Sequence, residues 1–94
     1  MLTIATKFPF GQVVATPGAL EALEKAGETP GPYLTRHGAG DWGTVCADDK
    51  ALNDQALIDG DRVLSAYELG DKTRIWVITE CDRSVTTILL PEEY

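Results

Sequence analysis

RVLSAYELGDKTRIWVITECDRSVTTILL, running from Arg62 to Leu90, is the stretch that decides the fold. Three runs in it, Arg62–Leu69, Thr73–Glu80 and Ser84–Leu90, are rich in Val, Ile, Thr, Tyr and Trp, the residues that suit a pleated surface. The joints Gly70-Asp71-Lys72 and Cys81-Asp82-Arg83 are short enough for hairpins, whereas a parallel crossover needs a dozen residues or more. The pattern predicts a three-stranded antiparallel meander. In its central run Ile75, Val77 and Thr79 share one face, while Trp76, Ile78 and Glu80 share the other. Both faces are partly apolar, which predicts helices on one side and a second contact on the other.

Upstream of Gly60 the period is helical. Thr16-Pro17 has the form of an N-cap followed by proline at the first helical position, and Gly18–Ala26 carries Leu20 and Leu23 among alanines before Gly27. Thr29-Pro30 repeats the device ahead of a short helix through Tyr33-Leu34-Thr35-Arg36-His37 that ends at Gly38. A third helix spans Asp48 to about Ile58, with Leu52, Ala56 and Leu57 inward and Asp48-Asp49 at the favourable end of the helix dipole. Met1–Phe10 reads as an extended lead-in, and Gly11–Ala15 as a β-prone segment suited to an N-terminal edge strand. Helices grouped first and strands last predict an α+β fold of two to three short helices on the meander.

The 94 residues suffice for one domain, residues 1–94, and 44% hydrophobic residues support a core. Met1–Phe10 lacks the apolar run of an export signal, and no apolar stretch is long enough to cross a bilayer. These features predict a cytoplasmic protein with reduced cysteines. The net charge of −7 opposes direct binding to nucleic acid or to an anionic membrane. It favours an acidic surface offered to a basic partner.

His37, Cys46 and Cys81, with Asp41 and Asp82 nearby, match the ligand types of a zinc site. No Cys-x-x-Cys or His-Glu-x-x-His spacing supports it, and lone cysteines also serve as small apolar residues. His37 suits a general base by its ordinary pKa, yet Ser84 and Thr87 have no spacing that makes either its nucleophile; a place in the last turn of the short helix, paired to backbone carbonyls and the dipole, is the favoured reading. Glu80 and Asp82 without a third carboxylate read as a hairpin turn and not as a nuclease cation site. Gly38, Gly40 and Gly43 lack the Lys-Ser/Thr ending of a phosphate loop and are expected to turn the backbone around Trp42, whose indole is expected first as a core anchor and otherwise as an interface anchor.

Charge is the strongest functional clue. Asp41, Asp48, Asp49, Asp54, Asp59 and Asp61 face a single base, Lys50, within 21 residues. At about 100° per residue Asp48 and Asp59 align while Asp49 and Asp54 diverge, so the acids form a lobe and not a stripe. Such a lobe serves as a solvated face, or imitates a phosphate backbone and occupies a basic nucleic-acid-binding protein. In the second role Trp42 and Tyr67 are expected to anchor the contact.

Three segments together carry a resemblance: Gly11–Leu20; Arg36-His37 with Gly40-Asp41-Trp42-Gly43; and Trp76–Glu80 continuing through Asp82-Arg83-Ser84-Val85 to Tyr94. The chain from Phe8 onward resembles small bacterial proteins, labelled plasmid-related, that are carried on mobile elements. The resemblance brings no catalytic residues or cofactor with it, and Cys46 and Cys81 fall outside it. It implies a context in which small acidic proteins counter host defences, with a CRISPR effector or a restriction enzyme as partner. The resulting expectation is a non-enzymatic inhibitor that presents Asp41, Trp42, Asp48, Asp49, Asp54, Asp59 and Asp61. A zinc-binding protein built on His37, Cys46 and Cys81, or a homo-oligomer pairing through an edge strand or Trp76, are the alternatives.

Overall fold

The computed structural model describes residues 6–94. Its elements are β1 (Gln12–Ala15), α1 (Pro17–Ala26), α2 (Gly31–Gly38), α3 (Ala47–Asp59), β2 (Val63–Glu68), β3 (Arg74–Thr79), β4 (Val85–Leu89) and a 3₁₀ turn (Pro91–Glu93). The protein is α+β. β2, β3 and β4 form the expected antiparallel meander, in register from Val63 opposite Thr79 to Glu68 opposite Arg74, and from Trp76 opposite Leu89 to Thr79 opposite Thr86.

The sheet nevertheless has four strands and is mixed, in the order β1-β4-β3-β2. β1 lies parallel to β4, with Gln12 beside Val85 and Ala15 beside Ile88. Two residue-level facts bring it there. Gly11 turns with φ 63° so close to Ser84 that a Cβ would overlap the Ser84 backbone, and the buried Thr86 hydroxyl donates to the Phe10 carbonyl at 2.8 Å. The reading of Met1–Phe10 as a lead-in falls in part outside the described residues.

One sheet face carries Tyr67, Ile75, Val77 and Ile88, and on it pack Ala19 and Leu23 of α1 and Tyr33 of α2. α1 begins as its sequence predicts: Thr16 is extended, its Oγ1 accepts from the Ala19 amide at 3.1 Å, and Gly27 closes the helix at φ 68°. α2 departs from expectation. Pro30 and not Thr29 occupies the N-cap, and no side chain caps the helix. On the other sheet face Ile78 and Leu89 are buried, while half-buried Trp76 meets the Tyr94 ring edge-on at 5.5 Å, over which Arg62 stacks at 5.4 Å. Thr16 Oγ1 and the Leu90 amide donate to Glu93 Oε1 at 2.6 and 2.8 Å, which fastens the C-terminal turn to the start of α1. Both bonds hold the Glu93 carboxyl below its ordinary pKa, the Thr16 hydroxyl contributing most.

Candidate functional site

α3 carries the acidic lobe. Asp48 and Asp49 occupy its first turn, where the free amides and the dipole favour carboxylates, and Gly60 ends it at φ 78°. No basic residue stands in its last turn. The cation comes instead from the β3–β4 hairpin: Arg83 Nη1 donates to the Asp61 carbonyl at 2.7 Å and Nη2 to the Ala56 carbonyl at 3.3 Å.

The helix lies along the β2 edge, and its expected inward face is met in part: Ala56 is buried and Leu57 packs half-buried against the cluster of Phe8, Trp42 and Val63, but Leu52 turns outward. Asn53 and Ala56 are buried, whereas Leu52 is 67% exposed and Ile58 78% exposed. Asn53 acts as a substitute strand. Its Nδ2 donates to the Leu64 carbonyl at 2.7 Å, and its Oδ1 accepts from the Leu64 amide at 3.1 Å. One residue pair further along, the Ala66 amide donates to the Trp42 carbonyl at 3.1 Å and the Thr44 amide to the Ala66 carbonyl at 2.7 Å. The β2 edge is thus occupied at Leu64 and at Ala66. Asp49, Leu52, Asn53, Arg62 and Leu64 line a shallow cleft of about 240 Å³ beside it.

The six acids divide into two groups. Asp41 and Asp54 are structural. Asp41 takes a 2.7 Å ion pair from Arg36 and the Gly43 amide at 3.1 Å, and the Arg36 hydrogen bond is the main reason its carboxyl sits below the ordinary range. Its backbone carbonyl accepts from the Tyr67 hydroxyl at 2.6 Å. Asp54 accepts from the Trp42 indole at 2.9 Å. Asp48, Asp49, Asp59 and Asp61 are exposed, and among the described residues none of these four is in an ion pair.

Trp42 and Tyr67 are buried, so Trp42 takes the core role that its sequence setting also offered and neither serves as the contact anchor. Trp42 stacks on Phe8 and meets His37 edge-on, at 6.2 and 5.7 Å between ring centres, inside a cluster with Ala56 and Val63. The exposed apolar side chains on the lobe are Leu52 and Ile58. No periodicity argument finds them, because a helix bordering a strand edge must supply a backbone-like amide where an apolar ridge would otherwise stand.

His37 stands in the last turn of α2 as expected, but its ring meets side-chain hydroxyls and not backbone carbonyls. It is fully buried, with Nδ1 2.5 Å from the Ser65 hydroxyl and Nε2 2.9 Å from Thr79 Oγ1. The chain continues from Thr79 to Thr86 at 2.7 Å and on to the Phe10 carbonyl. Burial, with the Arg83 cation adding to it, lowers the His37 pKa to about 4, so the ring is neutral at pH 7. Phe8, Phe10 and Trp42 surround it. Both ring nitrogens are engaged by hydroxyls, while Cys46 and Cys81 are exposed free thiols. Among the described residues no three His, Cys, Asp or Glu side chains are brought together as a metal site, so the grouping of His37, Cys46 and Cys81 does not form.

The sequence reasoning also missed the role of Asn53 and the reach of Arg83 beyond its own hairpin to the end of α3. The only signals for them are an Asn within a helix, where its propensity is poor, and a cation near a helix that lacks one in its own last turn. No protein family, curated protein or solved structure matches this chain.

Proposed function

We propose that the protein is a non-enzymatic inhibitor that occupies a basic nucleic-acid-binding surface of another protein through the exposed face of α3. The observation that carries this reading is the co-exposure of unpaired acids with bare apolar side chains. Asp48, Asp49, Asp59 and Asp61 supply negative charge, and Leu52 and Ile58 stand out among them. Carboxylates in this setting steer encounter with lysine- and arginine-rich grooves, while the apolar side chains supply burial once charges have met. The resemblance to mobile-element proteins supplies the partner class, a defence nuclease of the CRISPR or restriction type.

Capture of the tagged protein on such an effector tests the proposal, followed by competition with the effector's duplex DNA. Asp48, Asp49 and Asp59, all exchanged for Lys, are expected to weaken binding at least tenfold and to remove most of its salt dependence. Asp54 stays unchanged because it holds Trp42. Binding that ignores both salt and the triple exchange, or an effector that takes up DNA at full strength with the protein bound, overturns the reading.

A further inference from the structure

The two edges of the sheet are finished differently. At β2 the outward backbone groups of Leu64 and Ala66 are all satisfied, by Asn53, Trp42 and Thr44. At β1 the amides of Gln12 and Thr16 bond to β4 through the Ser84 and Ile88 carbonyls, which leaves the alternate residues Val13 and Ala15 facing outward. Among the described residues nothing pairs with the backbone of either. Val13 and Val14 are 43% and 38% exposed, and no charge stands on the strand to discourage pairing.

From this geometry we infer that β1 is the contact between two copies of this chain, joined antiparallel across a two-fold axis at Val14 to make one eight-stranded sheet. The register follows from the ladder. Val13 of one copy opposite Ala15 of the other exchanges two hydrogen bonds, the symmetric pair exchanges two more, and Val14 meets its own mate in the non-hydrogen-bonded position between them. Pro17 has no amide to donate and ends the pairing on one side; Gly11, turned away at φ 63°, ends it on the other. A contact this short associates weakly and reversibly.

Charge selects a second copy as the occupant and this edge as the place. Between Thr6 and Leu20 the chain has Lys7 and no acid, in a protein of net charge −7, and the Glu93 carboxylate that reaches the end of β1 is taken up by Thr16 Oγ1 and the Leu90 amide. The acidic helix packs at β2, three strand spacings of about 4.8 Å away across the sheet. Joining at β1 therefore puts the two acidic lobes at opposite ends of the assembly, where their repulsion is weakest. Salt screens what remains and strengthens the dimer, the reverse of its effect on docking of the acidic lobe to a basic partner. The inference is independent of the inhibitor reading, and the opposite signs keep the two apart.

Sedimentation equilibrium of the full chain from micromolar to millimolar concentration tests it. The expected result is a passage from monomer to dimer mass that shifts to lower concentration with added salt. Val14→Glu sets two carboxylates face to face at the axis and is expected to hold the chain monomeric with an unchanged circular dichroism spectrum. In a Cys46→Ser, Cys81→Ser background, Val14→Cys is expected to oxidise to a covalent dimer, because non-hydrogen-bonded partners approach to about 4.5 Å between Cα atoms. Leu52→Cys in the same background is expected to stay monomeric. A chain that is monomeric up to millimolar concentration overturns the inference, even if β1 accepts an added extended peptide. A dimer that salt weakens, or one that survives Val14→Glu and leaves Val14→Cys unlinked, also overturns it.

Discussion

The β2 side and the β1 side of this sheet solve the same problem with unequal means. β2 is held on its outer edge by Asn53 and by the Trp42–Thr44 segment, and on its inner face by His37 through Ser65. β1 has the ladder to β4, the Thr86 bond to Phe10, and packing of Ala15 against the α1 core. Side-chain and loop bonds from three separate segments converge on one strand, while among the described residues nothing binds the outer groups of its counterpart across the sheet. An exposed edge pairs readily with other strands, so the contrast separates the edge the fold closes from the edge it leaves for contact.

Gly43 is where the closed side is most easily broken. It sits at φ 76°, against the backbone of Ala66, and a Cβ there would overlap the Ala66 carbonyl and stand 2.7 Å from the Tyr67 ring. Gly43→Val is expected to cost about 4 kcal/mol, from a left-handed conformation that a β-branched residue resists and from the displaced bridge. Urea unfolding measures it. Gly27→Ala is the comparison. It too has positive φ, but it has open space around the added methyl, and about 1 kcal/mol is expected. Equal costs at the two glycines would mean that the bridge contributes nothing to holding β2.

Most of the meander and the start of α1 were legible because their cues are local: alternating β-formers and hairpin-length joints in the one, a threonine-proline pair in the other. β1 was legible as a strand but not as the parallel neighbour of β4, since its partner lies some 70 residues away and is selected by Gly11 and Thr86, not by any short-range pattern. The acidic lobe was visible as composition. Which acids are free was not, because Asp41 and Asp54 are claimed by Arg36 and the Trp42 indole, partners that become neighbours only once the chain has folded. Leu52 looked like core, and nothing in the pattern marked Asn53 as the buried neighbour. Helical periodicity places a residue around the helix axis and says nothing about whether the neighbouring surface is apolar or an unpaired backbone.

His37 makes the closed side sensitive to acid. Its pKa in the fold is about 4, below the ordinary 6.5, so the unfolded chain binds the proton more readily between these values. Stability contributed by the neutral ring is complete above about pH 6.5 and is lost as pH falls towards 4, a change of about 3 kcal/mol. The expected result is a fall of that size in the unfolding free energy between pH 7 and 4. The slope should flatten in His37→Gln, whose amide can still meet one of the two hydroxyls. Where that variant does not fold, Ser65→Ala serves, since it removes one partner and leaves the ring buried. A pH profile identical in wild type and His37→Gln would assign the acid sensitivity to the carboxylates. Asp41 and Glu93, both held below their ordinary range, lose their stabilising charge at still lower pH.

Asn53 tests the contrast between edges most directly. Asn53→Leu leaves the Leu64 amide and carbonyl without partners at the border of the core, and about 2 kcal/mol of stability is expected to go with them. Asn53→Asp keeps the acceptor for the Leu64 amide and loses the donor to its carbonyl, so a smaller loss of about 1 kcal/mol is expected. The two variants also differ in what they expose. Asn53→Leu uncovers backbone groups on β2 beside an added apolar side chain, and a chain already blocked at β1 by Val14→Glu should then regain weak self-association through its other edge. Asn53→Asp places another carboxylate among the acids of α3 and should not. If unblocking β2 restores no association in the Val14→Glu chain, then pairing groups alone do not make an edge adhesive here, and the lack of charged residues on β1 itself is the feature that matters.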